Sequence, residues 1–346
     1  MHAMAHRARV ILPRCLETPR GEPPCVVHLV RAPHGLAPLQ AFAASLREHP
    51  PGIEYELVLA MKGFQSRREA RPYLNEIADL NPQVLYFADV GLDLGVYFAS
   101  ASALRRERYC FLNSHCTPLV DGWLAKMDAA LAVREVGIAG ATGSWTSTRS
   151  WVAYSLGLPS AYRGAIPPAA HVRRALLEIV PEQAARGRRS PIEALSQRWL
   201  TMRMLHYQEG FPAHALRTNS FMIAHNTLAE LCFYAIRDKR DTLLIECGRE
   251  SLTSQVRRLG LEAVVVDRDG ATYEPARWAS SHTFHQGEQT GLLVADNRTR
   301  TYEHGSAALR EALAGLSWGR EACWACENDR PRDGRASTSA DSSPPG

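Results

Sequence analysis

Short apolar runs alternate with amphipathic stretches through residues 25–150. CVVHLVRAP (25–33) is apolar, rich in β-branched residues and stopped by a proline, which predicts a strand buried on both faces. LAPLQAFAASLREHP follows and sets Leu39, Phe42, Ala43 and Leu46 on one helical face. The alternation continues with a strand in YELVLAMKGF (55–64), a helix in RREARPYLNEIADL, a strand in VLYFADVG (84–91) and a helix in LGVYFASASALRRE. It closes with a strand in YCFLNSH (109–115), a helix in GWLAKMDAALAV and a strand in VGIAGATGSW (136–145). The pattern predicts an α/β fold, with a mixed, mostly parallel sheet flanked by helices.

Beyond residue 150 the rhythm changes. Helical stretches are expected at His171–Ala185 and Pro191–Tyr207, making an insertion over 165–210. A strand at Ser220–Ala224 and a helix at Thr227–Ile236 follow. DTLLIECG then reads as strand or turn, SLTSQVRRLG as helix and EAVVVDRDG as strand. The expected organisation is a loose leader (1–24), one domain (25–327) and a disordered tail (328–346). The domain divides into two halves, 25–150 and 151–327.

Composition removes several classes. With 45% hydrophobic and 22% charged residues, the bulk of the chain is globular. Eight irregularly spaced cysteines are too few for a disulfide scaffold. No window approaches the roughly 20 apolar residues of a membrane span, and VILP is too short for a signal-peptide core. A cytoplasmic location is therefore expected. The net charge is only +4 and the basic residues are dispersed, which argues against a nucleic-acid partner. Nearly all of those residues are arginine, lysine occurring only at Lys62, Lys126 and Lys239.

In open parallel sheets ligands sit beyond the carboxyl ends of the strands. That rule singles out Arg31, Lys62, Asp89, Asp93, Asn113, His115 and the loop 140–146. Asp89 and Asp93 could equally cap the following helix. GIAGATGS lacks the dinucleotide fingerprint, so close backbone packing is the better reading of its glycines. Asn113-Ser114-His115 either caps a strand end, or binds diphosphate, or holds a cation weakly through the Asn113 carbonyl and the His115 imidazole. Glu246 and Glu250 are candidate general bases, although Glu250 or Ser251 could simply begin a helix. The polar-aromatic stretch from Trp278 to Tyr302, with Asp296-Asn297-Arg298 inside it, suits a loop over a sugar or nucleoside, or equally a lid or subunit contact with no ligand role. Cys323 and Cys326 form a lone CxxC pair, read as incidental.

Taken together, DVGLDLGVYFASASALRRERYCFLNSHCTPLVDGWLAKMDAAL, VGIAGATGS, ALRTNSFMIAHN and IECGRESLTSQVRRLGL resemble the inverting glycosyltransferase family 2, with its GT-A fold, over residues 25–270. Asn113 and His115 fall on the two aspartates of that family's DxD motif. Trp123 falls on its aromatic "gWL" position, and Glu246 or Glu250 on its base motif. The resemblance implies transfer of a sugar from a nucleotide-sugar donor to a glycan or lipid-linked acceptor by single displacement, as in bacterial cell-surface polysaccharide synthesis, with peripheral membrane contact through the acceptor. It implies donor contacts at Arg31, Lys62, Asp93, Asn113, Ser114 and His115. Acceptor contacts fall at Trp123, Arg217, Asn219 and Arg249, with Arg217 and Arg249 available to replace part of a metal's charge. A divalent cation, Mn2+ or Mg2+, would rest on Asn113 and His115 alone, because the DxD carboxylates are absent. A non-catalytic nucleotide-sugar or glycan-binding relative is the alternative. An unrelated α/β oxidoreductase is disfavoured by the missing glycine fingerprint.

Overall fold

The computed structural model describes residues 9–10, 21–149, 207–234, 236 and 239–328, with side chains described through most of 21–319. The helical stretches expected at His171–Ala185 and Pro191–Tyr207 fall almost wholly outside this set. So do the side chains of Cys323 and Cys326 and nearly all of the tail.

Eight strands form one sheet: β1 (Cys25–Arg31), β2 (Glu56–Lys62), β3 (Gln83–Phe87), β4 (Arg108–Leu112), β5 (Val136–Gly140), β6 (Ser220–Ala224), β7 (Glu262–Val266) and β8 (Thr272–Tyr273). Their spatial order is β8-β7-β5-β6-β4-β1-β2-β3. The pairs β1/β2, β2/β3, β1/β4 and β5/β7 are parallel. β6 runs antiparallel between β4 and β5, and β8 antiparallel to β7. The sheet is thus mixed and mostly parallel, as the sequence pattern predicts. The reversal of β6 has a consequence for the site. Its N-terminal end, where Arg217–Asn219 enters, lies at the same edge as the carboxyl ends of its parallel neighbours.

Strand residues alternate between two apolar layers. Val27, Leu29, Val58, Phe111, Phe221 and Val265 share one with Leu94, Tyr97 and Phe98 of helix α3 (Leu92–Leu104). Val26, Val30, Leu59, Leu112, Met222 and Val264 share the other with Phe42 of α1 (Ala37–Glu48) and Trp123 of α4 (Trp123–Leu131). Helix α2 (Arg67–Glu76) begins at Ser66, whose side chain accepts the Glu69 N–H. Strands covered on both faces are continuously apolar, which is why they were visible as runs.

Two local expectations are corrected. DTLLIECG is not strand or turn: it lies in the helix Lys239–Cys247. Its short apolar stretch, LLI, fits a strand as well as a buried helix face, and periodicity cannot separate them at that length. The helix expected at Thr227–Ile236 is instead α5 (His225–Glu230), followed by a two-residue strand, Phe233–Tyr234, paired with Arg9–Val10. The lysine-led helix becomes α6. Helix α7 (Leu252–Arg258) starts at Ser251, which accepts the Ser254 N–H, so this serine does begin the next helix. Two further helices, α8 (Asn297–Glu303) and α9 (Ala307–Asn328), complete the described chain.

The glycines of GIAGATGS are sites of close packing. A Cβ on Gly143 would meet the Trp278 ring at 2.7 Å and Val265 at 2.9 Å, and one on Gly140 would meet Leu216 at 2.7 Å. Gly143→Ala is expected to destabilise the fold by about 1–3 kcal/mol, the cost of overpacking a filled core. A lowered urea midpoint with unchanged slope would register this; an unchanged midpoint would contradict the packing account.

Candidate functional site

The sequence-selected polar residues converge at the carboxyl edge of the sheet. Arg31 ends β1 and Lys62 ends β2, while Asp89 follows β3. Arg31 donates to both Asp89 oxygens, at 3.0 and 3.2 Å. Lys62 is 1% exposed, yet its ammonium lies 3.6 Å from Asp89 and donates to the Leu92 carbonyl at 2.9 Å. Burial and the Arg31 charge push the Lys62 pKa down, while Asp89 and Asp93 oppose them. Burial alone would raise the Asp89 carboxyl, but the Arg31 hydrogen bonds and the two cations hold it below its usual range. With Gly91, Leu92, Val90 and Ile236 these residues line a cavity of about 420 Å³. Asp89 therefore pairs with cations rather than capping α3, which begins after Gly91 with no side-chain cap. Asp93 sits in the first turn of α3 and carries its charge toward both Lys62 and His115.

Asn113 resolves as a strand-end cap. Its side-chain oxygen accepts the His115 N–H at 2.9 Å and the Cys116 thiol at 3.3 Å. Its own N–H donates to the Asn219 carbonyl at 2.8 Å. The His115 carbonyl accepts from Arg300 at 2.9 Å. A divalent cation at the DxD position needs anionic oxygens. Here the amide oxygen is committed to local donors and a guanidinium occupies the neighbouring carbonyl. Among the described residues no three His, Cys, Asp or Glu side chains are grouped to hold a metal. Asn113 and His115 therefore do not fit the metal role. Ser114 is buried.

His34, which the sequence reading did not select, joins this edge. Its ring lies 4.8 Å from that of His115 and its Nε2 meets Arg31 at 3.4 Å. Both imidazoles have lowered pKa values: burial is the main cause, reinforced by His115 and Arg31 at His34 and by Arg300 at His115.

A second group enters from α8. Asp296 is the helix N-cap, accepting the N–H groups of Arg298 and Thr299, and its other oxygen accepts the Asn219 amide. Arg217 lies over the Phe284 ring, 4.9 Å from its centroid. On the same patch Glu246, on α6, accepts the Thr218 hydroxyl at 3.2 Å. The stretch flagged as a polar-aromatic loop thus contributes Asp296, Arg298 and Arg300. A helix-capping pattern, Asp296-x-x-Thr299, was the sequence signal available for placing them.

Three expected residues stand elsewhere. Trp123 has 0% exposure and fills the core under α4, out of reach of an acceptor. Glu250 is exposed and forms an ion pair with Arg258. Arg249 is exposed; its backbone N–H donates to the Tyr207 carbonyl and its carbonyl accepts from Arg258.

No protein-family model and no curated protein matches the sequence. Among solved structures, parts of the chain are similar to GalNAc-T7 with UDP, GalNAc and Mn2+ (20% identity over 34% of this chain and 22% of that one, TM-score 0.27). They are also similar to the mannosyltransferase PcManGT from Pyrobaculum calidifontis with GDP-Man and Mn2+ (14% identity, 40% of each chain, TM-score 0.28). A third match is S. aureus TarS with UDP-GlcNAc (14% identity, 34% of each chain, TM-score 0.26). The chain spans at most 40% of the length of these proteins.

The histidines give a pH test. His28 lies beneath the site at 0% exposure, stacked 3.7 Å from Phe42, with neither ring nitrogen hydrogen-bonded among the described residues. Burial lowers its pKa to about 3. Below pH 6.5 the unfolded chain binds a proton that the native state refuses, so stability is present above that pH and falls as the solution is acidified toward pH 3. His28→Phe is expected to flatten this loss by up to about 1.4 kcal/mol per pH unit, read from urea melts across the acid range. An unaltered pH slope would contradict it.

Proposed function

We propose that this edge of the sheet binds a nucleotide-sugar donor and transfers its sugar to a hydroxyl of a glycan or glycolipid acceptor. The observation that carries the reading is the pairing, on one edge, of a cation-lined cavity with a carboxylate held by a hydroxyl. Arg31, Lys62 and Asp89 surround the cavity, and Glu246 with Thr218 lies across the β6 entry. The cavity offers both charged donors and a carboxylate acceptor, which suits the base and ribose of a nucleoside.

In this reading the acceptor hydroxyl loses its proton to Glu246 as its oxygen bonds to the donor's anomeric carbon. The carbon–phosphate oxygen bond breaks on the opposite face, and its electron pair leaves on the nucleoside diphosphate. Thr218 holds the Glu246 carboxylate in place. Inversion at carbon follows from this single displacement. A role in cell-surface polysaccharide synthesis is compatible with such an acceptor. No helix among the described residues is long and apolar enough to cross a membrane.

One observation favours a non-catalytic binding relative instead: the cap geometry at Asn113, where the family carries a carboxylate. Turnover decides between the two. With the donor found by a thermal-shift screen of UDP-, GDP-, dTDP- and CMP-sugars, Glu246→Gln is expected to lower transfer by about a hundredfold or more while donor binding is kept. Glu250→Gln should match the unsubstituted protein. Equal loss in both variants, or none in Glu246→Gln, would contradict the assignment. Donor binding with no transfer to any hydroxyl would favour the binding relative.

A further inference from the structure

We infer that Arg217 and Arg298 form a metal-free anion seat for the donor's diphosphate; this rests on the nucleotide-sugar reading above. Two separate contacts bring the segments that carry these arginines together, and the Arg217 charge acts on Arg298. Asn219 donates to Asp296, fastening the segment after Arg217 to the segment before Arg298. Independently, Arg217 lies over Phe284, the Phe284 ring stacks 3.7 Å from His285, and His285 Nε2 lies 3.4 Å from the Arg298 carbonyl.

Neither guanidinium is locked into an ion pair among the described residues, although Asp296 and Glu246 act on Arg298 from nearby. The Arg217 Nε is buried with no hydrogen-bond partner among the described residues. Neither arginine is in an ion pair among those residues, whereas Arg31, Arg47, Arg106, Arg108, Arg258 and Arg310 all are. Asp296 is close but both its oxygens are committed, one to the N-cap of α8 and one to Asn219. Arg298 as a residue remains open to solvent, yet protein crowds its guanidinium. Withdrawal from water and the Arg217 charge lower its pKa, with Asp296 and Glu246 opposing.

Two unpaired forks with like charge repel, and an anion between them relieves the repulsion. Phosphate oxygens match guanidinium geometry and accept two donors from each fork. The position is also chemically apt. In an in-line displacement the base and the departing diphosphate stand on opposite faces of the anomeric carbon, so the seat and Glu246 would flank the sugar from two sides. At the DxD position, where a cation would otherwise neutralise that charge, Asn113 and His115 do not supply a cation site. The guanidiniums therefore take over the charge, and they require no divalent ion.

Calorimetric titration of the full chain tests this, with UDP, GDP and inorganic pyrophosphate as probes, in EDTA and then in Mn2+. The expected result is nucleotide binding that is the same in both conditions. Arg298→Gln should weaken it about tenfold or more, with Arg298→Lys intermediate because it keeps the charge and loses the fork. Arg298 is solvent-open, so its variants should keep the parent melting temperature; Arg217→Gln, which also loses its packing on Phe284, serves as the second variant. Nucleotide binding only with Mn2+, or wild-type binding in both the Arg298 and Arg217 variants, would overturn the seat while leaving the nucleotide-sugar reading standing. Pyrophosphate binding that depends on Arg298, with no added affinity for any nucleotide, would support the seat and end the nucleotide-sugar reading. Binding of none of the three probes in either condition would overturn both.

Discussion

The hydrogen bond from the Asn219 side chain to the Asp296 carboxylate joins residues 77 positions apart, and the site depends on it. Asp296 has two tasks. One oxygen caps α8 and fixes the direction in which Arg298 and Arg300 leave the helix. The other receives the Asn219 amide, whose backbone carbonyl in turn accepts the Asn113 N–H and the Cys116 thiol. One buried carboxylate thus ties the C-terminal segment, the β6 entry and the end of β4 into a single edge. A buried carboxylate is costly unless its oxygens are satisfied, and here they are. Removing it would leave the Asn219 amide and two helix N–H groups without acceptors.

Charge at this edge is arranged in two zones. Around the cavity, Arg31 and Lys62 are balanced by Asp89, and Lys62 remains buried because the Leu92 carbonyl and that carboxylate serve its ammonium. Around Phe284, Arg217 lies over the ring and its charge acts on Arg298, and neither arginine is in an ion pair among the described residues. His34 and His115 lie between the zones, and burial and neighbouring cations keep both below their ordinary pKa. Neutral imidazoles there add no further positive charge to a region already cationic.

The strands were legible because parallel strands covered on both faces must be apolar along their whole length, and proline or glycine marks where they stop. Arg31, Lys62, Asp93 and His115 could be read as site residues from the rule that such strands deliver ligands at their carboxyl ends. Glu246 was named, but on the wrong element: its three apolar neighbours fit a strand as well as a helix. Trp123 was misplaced because a motif position says nothing about which way a ring points, and this ring points into the core. Asn113 carried both readings, and only the hydrogen bonds to His115 and Cys116 decide for the cap. His34 and Arg300 were not named as site residues, and Arg298 was named only within a loop suited to a sugar or nucleoside. The Asp296-x-x-Thr299 cap marks where α8 begins, but no local spacing encodes which part of the fold that helix start meets.

The central claim is that guanidiniums, rather than a divalent ion, carry the diphosphate charge. Crystallisation with UDP or GDP in the presence of Mn2+, with data collected at the manganese absorption edge, tests it most directly. The account predicts the diphosphate between Arg217 and Arg298 and no anomalous peak beside Asn113 and His115. A manganese peak at those two residues, bridging them to the phosphates, would contradict it.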